Sequence, residues 1–345
     1  RHDGICRETS SRNSEVVHAG LYYPQGSLKA RTCVAGRRAL YERCDRLGIP
    51  APRVGKYIIA TSEEELPALE ALAAQGKNNG VEDLVLIDKE GLRAAEPEVA
   101  GLAALWSPSS GIVDSHAYAA SFQAEAESKG VQVVFHTQVE DAEQVAGGYR
   151  LRTRLRDASS YSVTARSVVN AAGLFQDQVS TWIGLDVEQA GYRQFPCKGD
   201  YFSIAPRHRG RVASLIYPVG GAAAAGLGVH LCLDVGGGMR LGPDANYVQG
   251  PPYALEVDSS RRGAFHTAGR ALLPWLEAED LQPDLAGIRA KLQRPGGPFC
   301  DFVVHEESDR GLPLWVTLAG IESPGLTAAT SLASGVHELL NDRGL

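Results

Sequence analysis

The run Ser167-Val168-Val169-Asn170-Ala171-Ala172-Gly173 passes straight into a helical pattern over 175–183. A β-branched run this apolar does not suit a half-exposed strand. It suits a parallel sheet covered on both faces, and strand, glycine, helix is the grammar of α/β folds. Val131-Gln132-Val133-Val134-Phe135 reads the same way, after a helix over 115–128 that closes on Lys129-Gly130. Upstream, a helix over 27–47 stops at Gly48-Ile49-Pro50, and a short strand follows at 57–60. Ser62-Glu63-Glu64-Glu65 reads as a capping box for an Ala/Leu-rich helix to about residue 75. An apolar strand at 84–87 comes before Glu96-Pro97-Glu98-Val99.

From about residue 190 the pattern becomes antiparallel. Over 227–235, Val229, Leu231, Leu233 and Val235 alternate with His230, Cys232 and Asp234. Gly236-Gly237-Gly238 then turns the chain into Met239-Arg240-Leu241, a hairpin signal. Short strands return at 302–304 and 315–318. A last helix carries Leu326, Ala329, Leu332, Val336, Leu339 and Leu340 on one stripe. The α/β parts are thus interrupted twice by β-rich parts.

The 345 residues carry a net charge of −7, and no basic stripe marks a nucleic-acid partner. No apolar run reaches the roughly 18 residues of a transmembrane segment; the longest candidate, 220–233, is short and rich in Gly and Ala. The six cysteines form no C-x-x-C pair and have no histidine at zinc-site spacing, so they read as reduced thiols with no metal. G-x-G-x-x-G, the P-loop, H-E-x-x-H and G-x-S-x-G are all absent from the sequence.

Two strings at opposite ends are specific. One is Glu8-Thr9-Ser10-Ser11-Arg12-Asn13-Ser14-Glu15-Val16-Val17-His18-Ala19-Gly20; the other is Gly320-Ile321-Glu322-Ser323-Pro324-Gly325-Leu326-Thr327. With Lys198-Gly199-Asp200-Tyr201, Gly242-Pro243-Asp244-Ala245 and Asp301-Phe302-Val303, the chain from 1 to about 340 resembles the FAD-dependent oxidoreductases of the D-amino-acid-oxidase superfamily. Within it, the chain most resembles the L-2-hydroxyglutarate dehydrogenases. The resemblance implies an α/β plus β fold: a discontinuous Rossmann-like FAD-binding domain (1–55, 113–188, 287–345) and an antiparallel-sheet substrate domain (56–112, 189–286). In that family the dinucleotide fingerprint lies in a βαβ unit just upstream of the segment that starts here, so the FAD domain is expected to be N-terminally incomplete.

The resemblance also implies oxidation of a small-molecule 2-hydroxy acid, L-2-hydroxyglutarate, to 2-oxoglutarate. Hydride would pass to flavin N5 and the electrons to a quinone or another respiratory-chain acceptor. The alternatives are an amine or glycerol 3-phosphate substrate, or an inactive truncated protein. The expected location is the cytoplasm or the inner-membrane surface, mitochondrial in a eukaryote.

Several residues could carry this chemistry. The short polar side chains of Ser10, Ser11, Arg12, Asn13 and Ser14 suit a pyrophosphate or the polar edge of a flavin; alone they also fit a plain polar loop. Asn170, Ala172 and Gly173 end a strand where a backbone can approach a cofactor, or simply pack strand to helix. Ser323, Pro324, Gly325, Leu326 and Thr327 open a helix whose N–H groups would stabilise charge on the flavin. His18 and His230 are the candidate bases; either also reads as a core histidine. A dicarboxylate needs cationic clamps, for which Lys198, Arg240, Arg289 and Lys291 are candidates, with Tyr201 and Tyr217 as hydroxyl donors.

Overall fold

The computed structural model describes residues 1–220 and 228–344. Seven helices are present among them: α1 (Leu28–Leu47), α2 (Leu66–Asn78), α3 (Lys89–Ala95), α4 (Ser115–Ser128), α5 (Gln176–Trp182), α6 (Arg262–Arg270) and α7 (Gly325–Asn341). Local chemistry sets several ends. The Ser27 side chain accepts from the Ala30 N–H, and Gly48 closes α1 at φ 66°. Asp114 caps α4 by accepting from the Ala117 N–H. The expected capping box at Ser62 does not form. Its side chain makes no cap bond, and Glu65 instead reaches back to accept from the Thr61 N–H at 2.7 Å.

The main sheet has nine strands among the described residues. In spatial order they are Asn246–Tyr247, Cys197–Ile204, Met239–Leu241, Leu231–Leu233, Leu215–Pro218, Lys56–Ala60, Ala103–Ser107 and Val85–Asp88, with Leu281–Arg289 on the other edge of Cys197–Ile204. Most neighbours are antiparallel; Leu215–Pro218 and Lys56–Ala60 are parallel. One face carries Ile59, Phe202, Ile216 and Leu231, which share the largest apolar core with Leu69 and Ala73 of α2 and Phe265 of α6. The alternating stretch expected over 227–235 is a strand only at Leu231–Leu233. Leu227, and most of the apolar stretch 220–233, lie outside the described residues.

The strand expected at 167–173 is shorter, Val168–Asn170, and pairs in parallel with Trp315–Ala319, which pairs in turn with Val303–Glu306. No strand lies on the other side of Val168–Asn170 among the described residues. The strand expected at 131–135 does not form there. The segment is irregular, with Val131 54 % and Val134 64 % exposed. A doubly covered parallel strand exists only through its neighbours, and no described strand pairs with this one. A three-stranded meander, Gln138–Val145, Gly148–Arg154 and Ser160–Ala165, was not anticipated. One face carries Ala142, Tyr149 and Leu151, which join a core cluster with Trp315, while charged residues alternate on the other.

Helix α7 lies directly on α1. A Cβ on Gly36 would fall 2.3 Å from the Thr327 carbonyl oxygen and 2.8 Å from the Ala328 Cα. The buried row on α7 is Thr327, Ala328, Leu332 and Val336, one step round from the expected stripe; Leu326, Ala329, Leu339 and Leu340 are only half-buried. The absence of a side chain at Gly36 therefore fixes where the N-terminus of α7 stands.

Candidate active site

Strand register builds one wall of the site. Cys232 and Ser203 are both opposite Arg240, and Lys56 is opposite Leu215. Side chains two residues apart on a strand share a face. Tyr201, Arg240, Cys232, His230, Tyr217 and Lys56 therefore project from the face opposite Ile59, Phe202, Ile216 and Leu231. Arg289, opposite Cys197, continues the row. The His230 and Tyr217 rings stack at 3.7 Å between centroids.

The opposing wall comes from the chain ends. Strand Val16–Val17 leads to His18, whose backbone N–H donates to Thr327 Oγ1 at 3.1 Å. The Ser323 hydroxyl is 3.3 Å from His18 Nε2, and Pro324 is the residue before the first turn of α7. Gly325 begins that turn, and Leu326 packs against the cluster of Leu40 and Tyr118. Ser323 also lies beside Tyr23. Glu322 is clamped by two lysines, the buried Lys29 at 3.0 Å and the half-buried Lys291 at 3.1 Å. Burial pushes the Glu322 carboxyl up, yet the two ammonium groups hold it below its ordinary value.

Burial dominates the electrostatics between the walls, although His18 and His230 each keep part of their surface open. Burial drives His18 well below the ordinary histidine value, and Lys56 and His230 push it further. Burial takes His230 down to about 3 against the opposing pull of its hydrogen bond to Gly228. His230 Nδ1 lies 2.7 Å from the Gly228 carbonyl oxygen. A carbonyl only accepts, so Nδ1 carries the proton and Nε2 presents a lone pair. Burial also raises Tyr22, Tyr201 and Tyr217, keeping these phenols protonated.

The other expected residues take varied positions. Ser10 is exposed, and its carbonyl accepts from Asn13 Nδ2 at 2.8 Å; the Ser11 hydroxyl donates to the Glu8 carbonyl. Arg12 lies against the strand Leu281–Arg289, where a Cβ on Gly287 would meet the Arg12 oxygen at 1.9 Å. Ser14 reaches the first wall beside Tyr201 and Cys232. Asn170 is buried, and its amide donates to Gln176 O at 3.0 Å and Ser180 Oγ at 3.2 Å, tying strand to α5. The Ala172 N–H donates to Asn170 Oδ1, and Gly173 is open, at φ 56°.

The four expected clamps are all engaged by the protein itself. Lys198 pairs with Asp200 at 3.1 Å and bonds the Glu256 carbonyl. Arg240 lies between Asp234 and Asp284. Arg289 donates to the Asp244 carbonyl at 2.8 Å, and Lys291 is held by Glu322. Sequence reasoning missed Lys29, Glu322 and above all Lys56. The signal for Lys56 was there: a lysine opening the run Lys56-Tyr57-Ile58-Ile59-Ala60, every residue of which is buried.

Buried polar atoms without a partner among the described residues cluster here: His18 Nδ1, His230 Nε2, Lys56 Nζ and the Tyr22 and Tyr217 hydroxyls. Such a set fits a polar-edged ligand placed between the walls, with the first turn of α7 at one end. The residues present therefore fit the isoalloxazine end of FAD.

Comparisons with known proteins point to the same cofactor. The family described as FAD dependent oxidoreductase matches residues 1–339. The mitochondrial L-2-hydroxyglutarate dehydrogenase of Arabidopsis thaliana is 33% identical over 95% of this chain and 74% of its own length. L-2-hydroxyglutarate dehydrogenase of Escherichia coli K12 is 30% identical over 96% and 83%. Among solved structures, L-alpha-glycerophosphate oxidase from Mycoplasma pneumoniae with FAD bound superposes with a TM-score of 0.85 at 24% identity, covering 99% of this chain and 86% of that one. L-Proline dehydrogenase from P. horikoshii reaches 0.80 at 17%, covering 99% and 85%. The chain belongs to the D-amino-acid-oxidase (DAO) family of FAD-dependent oxidoreductases.

Proposed function

We propose that this chain oxidises L-2-hydroxyglutarate to 2-oxoglutarate and passes the electrons to a quinone-type acceptor. The observation that carries the substrate is the alignment of relatives named L-2-hydroxyglutarate dehydrogenase along about 95% of the chain. The walls add a chemical reason. A neutral histidine with a fixed tautomer faces the interior beside a buried ammonium, which suits an acid bearing a neighbouring hydroxyl.

His230 is the base in this reading. Its Nδ1–H is committed to Gly228, so Nε2 takes the hydroxyl proton of the substrate as the C2–H bond breaks. The low pKa keeps Nε2 unprotonated at neutral pH, and an anionic substrate bound beside it raises its basicity. FAD, when bound, supplies the two-electron acceptor for the hydride leaving C2. His18, held by Thr327 and Ser323, would face the edge of the flavin, and the first turn of α7 would offer N–H groups to negative charge developing there. A quinone acceptor brings part of the surface to a membrane. No described helix is long and apolar enough to cross one.

The test is anaerobic titration of the flavin-loaded protein. Flavin bands that bleach with L-2-hydroxyglutarate, giving a keto acid and no ammonia, support the reading. Bleaching only with glycerol 3-phosphate or an amino acid rejects it.

A further inference from the structure

Lys56 is 0 % exposed, and its ammonium nitrogen has no hydrogen-bond partner among the described residues. It lies 4.1 Å from the Tyr217 ring centroid and 5.4 Å from that of Tyr22. Burial pushes it down to about 8, and the acidic groups acting on it are two thiols, Cys232 and Cys33, rather than a carboxylate. Aromatic faces return only part of the cost of taking an ammonium out of water. The fold treats nearby lysines differently. Lys29 and Lys291 share Glu322, and Lys198 has Asp200. A counter-ion is withheld from Lys56 alone among these four.

Its position relative to the base matters as much. Lys56 and His230 both lie against the Tyr217 ring, which belongs to the strand between theirs. Adjacent strands are about 4.8 Å apart, so with the Tyr217 strand between them the His230 and Lys56 strands stand about 9.6 Å apart, Lys56 on one flank. Tyr201, Arg240 and Arg289 lie on the other. In a 2-hydroxy acid the hydroxyl and one carboxylate sit on neighbouring carbons. Whatever binds that carboxylate must stand within the reach of one small molecule from the group that receives the hydroxyl proton.

We propose that Lys56 is the anchor for the carboxylate attached to the reacting carbon. The assignment rests on the 2-hydroxy-acid reading above. The incoming carboxylate supplies the missing counter-ion, and the ion pair fixes the C2 hydroxyl towards His230 Nε2. The remainder of the substrate then extends towards Tyr201 and Arg240. Lys56 binds and orients; it carries no proton in the reaction.

The flavin-loaded holoenzyme and its Lys56→Met and Lys56→Gln variants test this. Binding of glutarate, a diacid with no hydroxyl to oxidise, is read from the shift in flavin absorption, beside KM for L-2-hydroxyglutarate and the ligand-free melting temperature. Removing one partner of a buried charge pair is expected to weaken glutarate binding by about thirtyfold or more and to raise KM in step. Ligand-free Lys56→Met should melt at or above the parent, because an uncompensated charge has gone; a merely structural lysine would give a lower melting temperature and unchanged glutarate binding. Glutarate affinity within about threefold of the parent in both variants, the scale of a surface pair, overturns the anchor. So does loss of flavin or of folding in both variants, which would make Lys56 part of the framework. If the parent itself oxidises no 2-hydroxy acid, the functional reading falls and takes the anchor with it. A parent that does so, matched by its variants, loses only the anchor.

Discussion

Gly36→Ala separates helix propensity from helix packing. In an open helix, alanine is more favourable than glycine by about 1 kcal/mol. At Gly36 the added Cβ would sit 2.3 Å from the Thr327 carbonyl oxygen and 2.8 Å from the Ala328 Cα, both backbone atoms that no rotamer change can move. Ordinary contact begins at 3.4 Å, so α1 and α7 must part by about 1 Å, and that gap forfeits dispersion along the seam. Overpacking of this kind costs about 3 kcal/mol at the upper end of its range, leaving a net loss of about 2 kcal/mol after the propensity gain. The melting temperature should drop by about 3 °C. Gly335→Ala is the control, because that Cβ would meet nothing within 4 Å on the same helix α7; it should gain about 1 kcal/mol. The assay is calorimetric melting of the flavin-loaded protein, with flavin content measured alongside, since Thr327 carries the bond to His18. A Gly36→Ala protein that melts with the parent or above it, while Gly335→Ala rises, would show that the two helices do not meet at this seam.

Three further outcomes follow from the site. His230→Asn should keep flavin and substrate binding but lower kcat by about 10²- to 10⁴-fold in stopped-flow reduction; a variant retaining most of the parent rate would move the base to His18. The pH profile of kcat/KM should be flat where an ordinary histidine titrates, because His230 is held near 3, and should fall as pH rises through about 8, where Lys56 loses its charge. An acid limb centred in the ordinary histidine range would contradict this assignment. Glu322→Gln leaves the buried Lys29 and the half-buried Lys291 without their carboxylate and should cost about 3 kcal/mol in denaturant unfolding. The Glu322 pKa is depressed in the folded state. Its stabilisation is therefore present above the ordinary carboxylate value and lost as pH falls through the lowered one, so parent and variant should converge in acid.

What the sequence revealed, and what it hid, divides along the range of the interactions. Caps at Ser27, Gly48 and Asp114 act over three or four residues and were readable. His230 was readable as a polar position in an alternating strand. Lys198 could have been discounted as a clamp, because Asp200 two residues on shares its face of the strand. Lys291 could not, since its carboxylate is 31 positions away. Lys56 stood out as a lysine opening an apolar run, but its place in the site emerged only when parallel pairing brought the Tyr217 strand beside it. The strand expected at 131–135 shows the converse: its composition was right for a covered parallel strand, and no described neighbour covers it.

The bond from the His18 N–H to Thr327 Oγ1 spans 309 positions. It imposes an order on biosynthesis. The wall bearing His230, Tyr217 and Lys56 has all its strands once Arg289 has been made. The opposing wall cannot close until the ribosome has released Thr327. Contacts this distant in sequence form late and slowly. A nascent chain halted between these two points would hold one wall of the cofactor site and no other. Flavin loading should therefore be a late event, coupled to the docking of the last helix rather than to the folding of the large sheet.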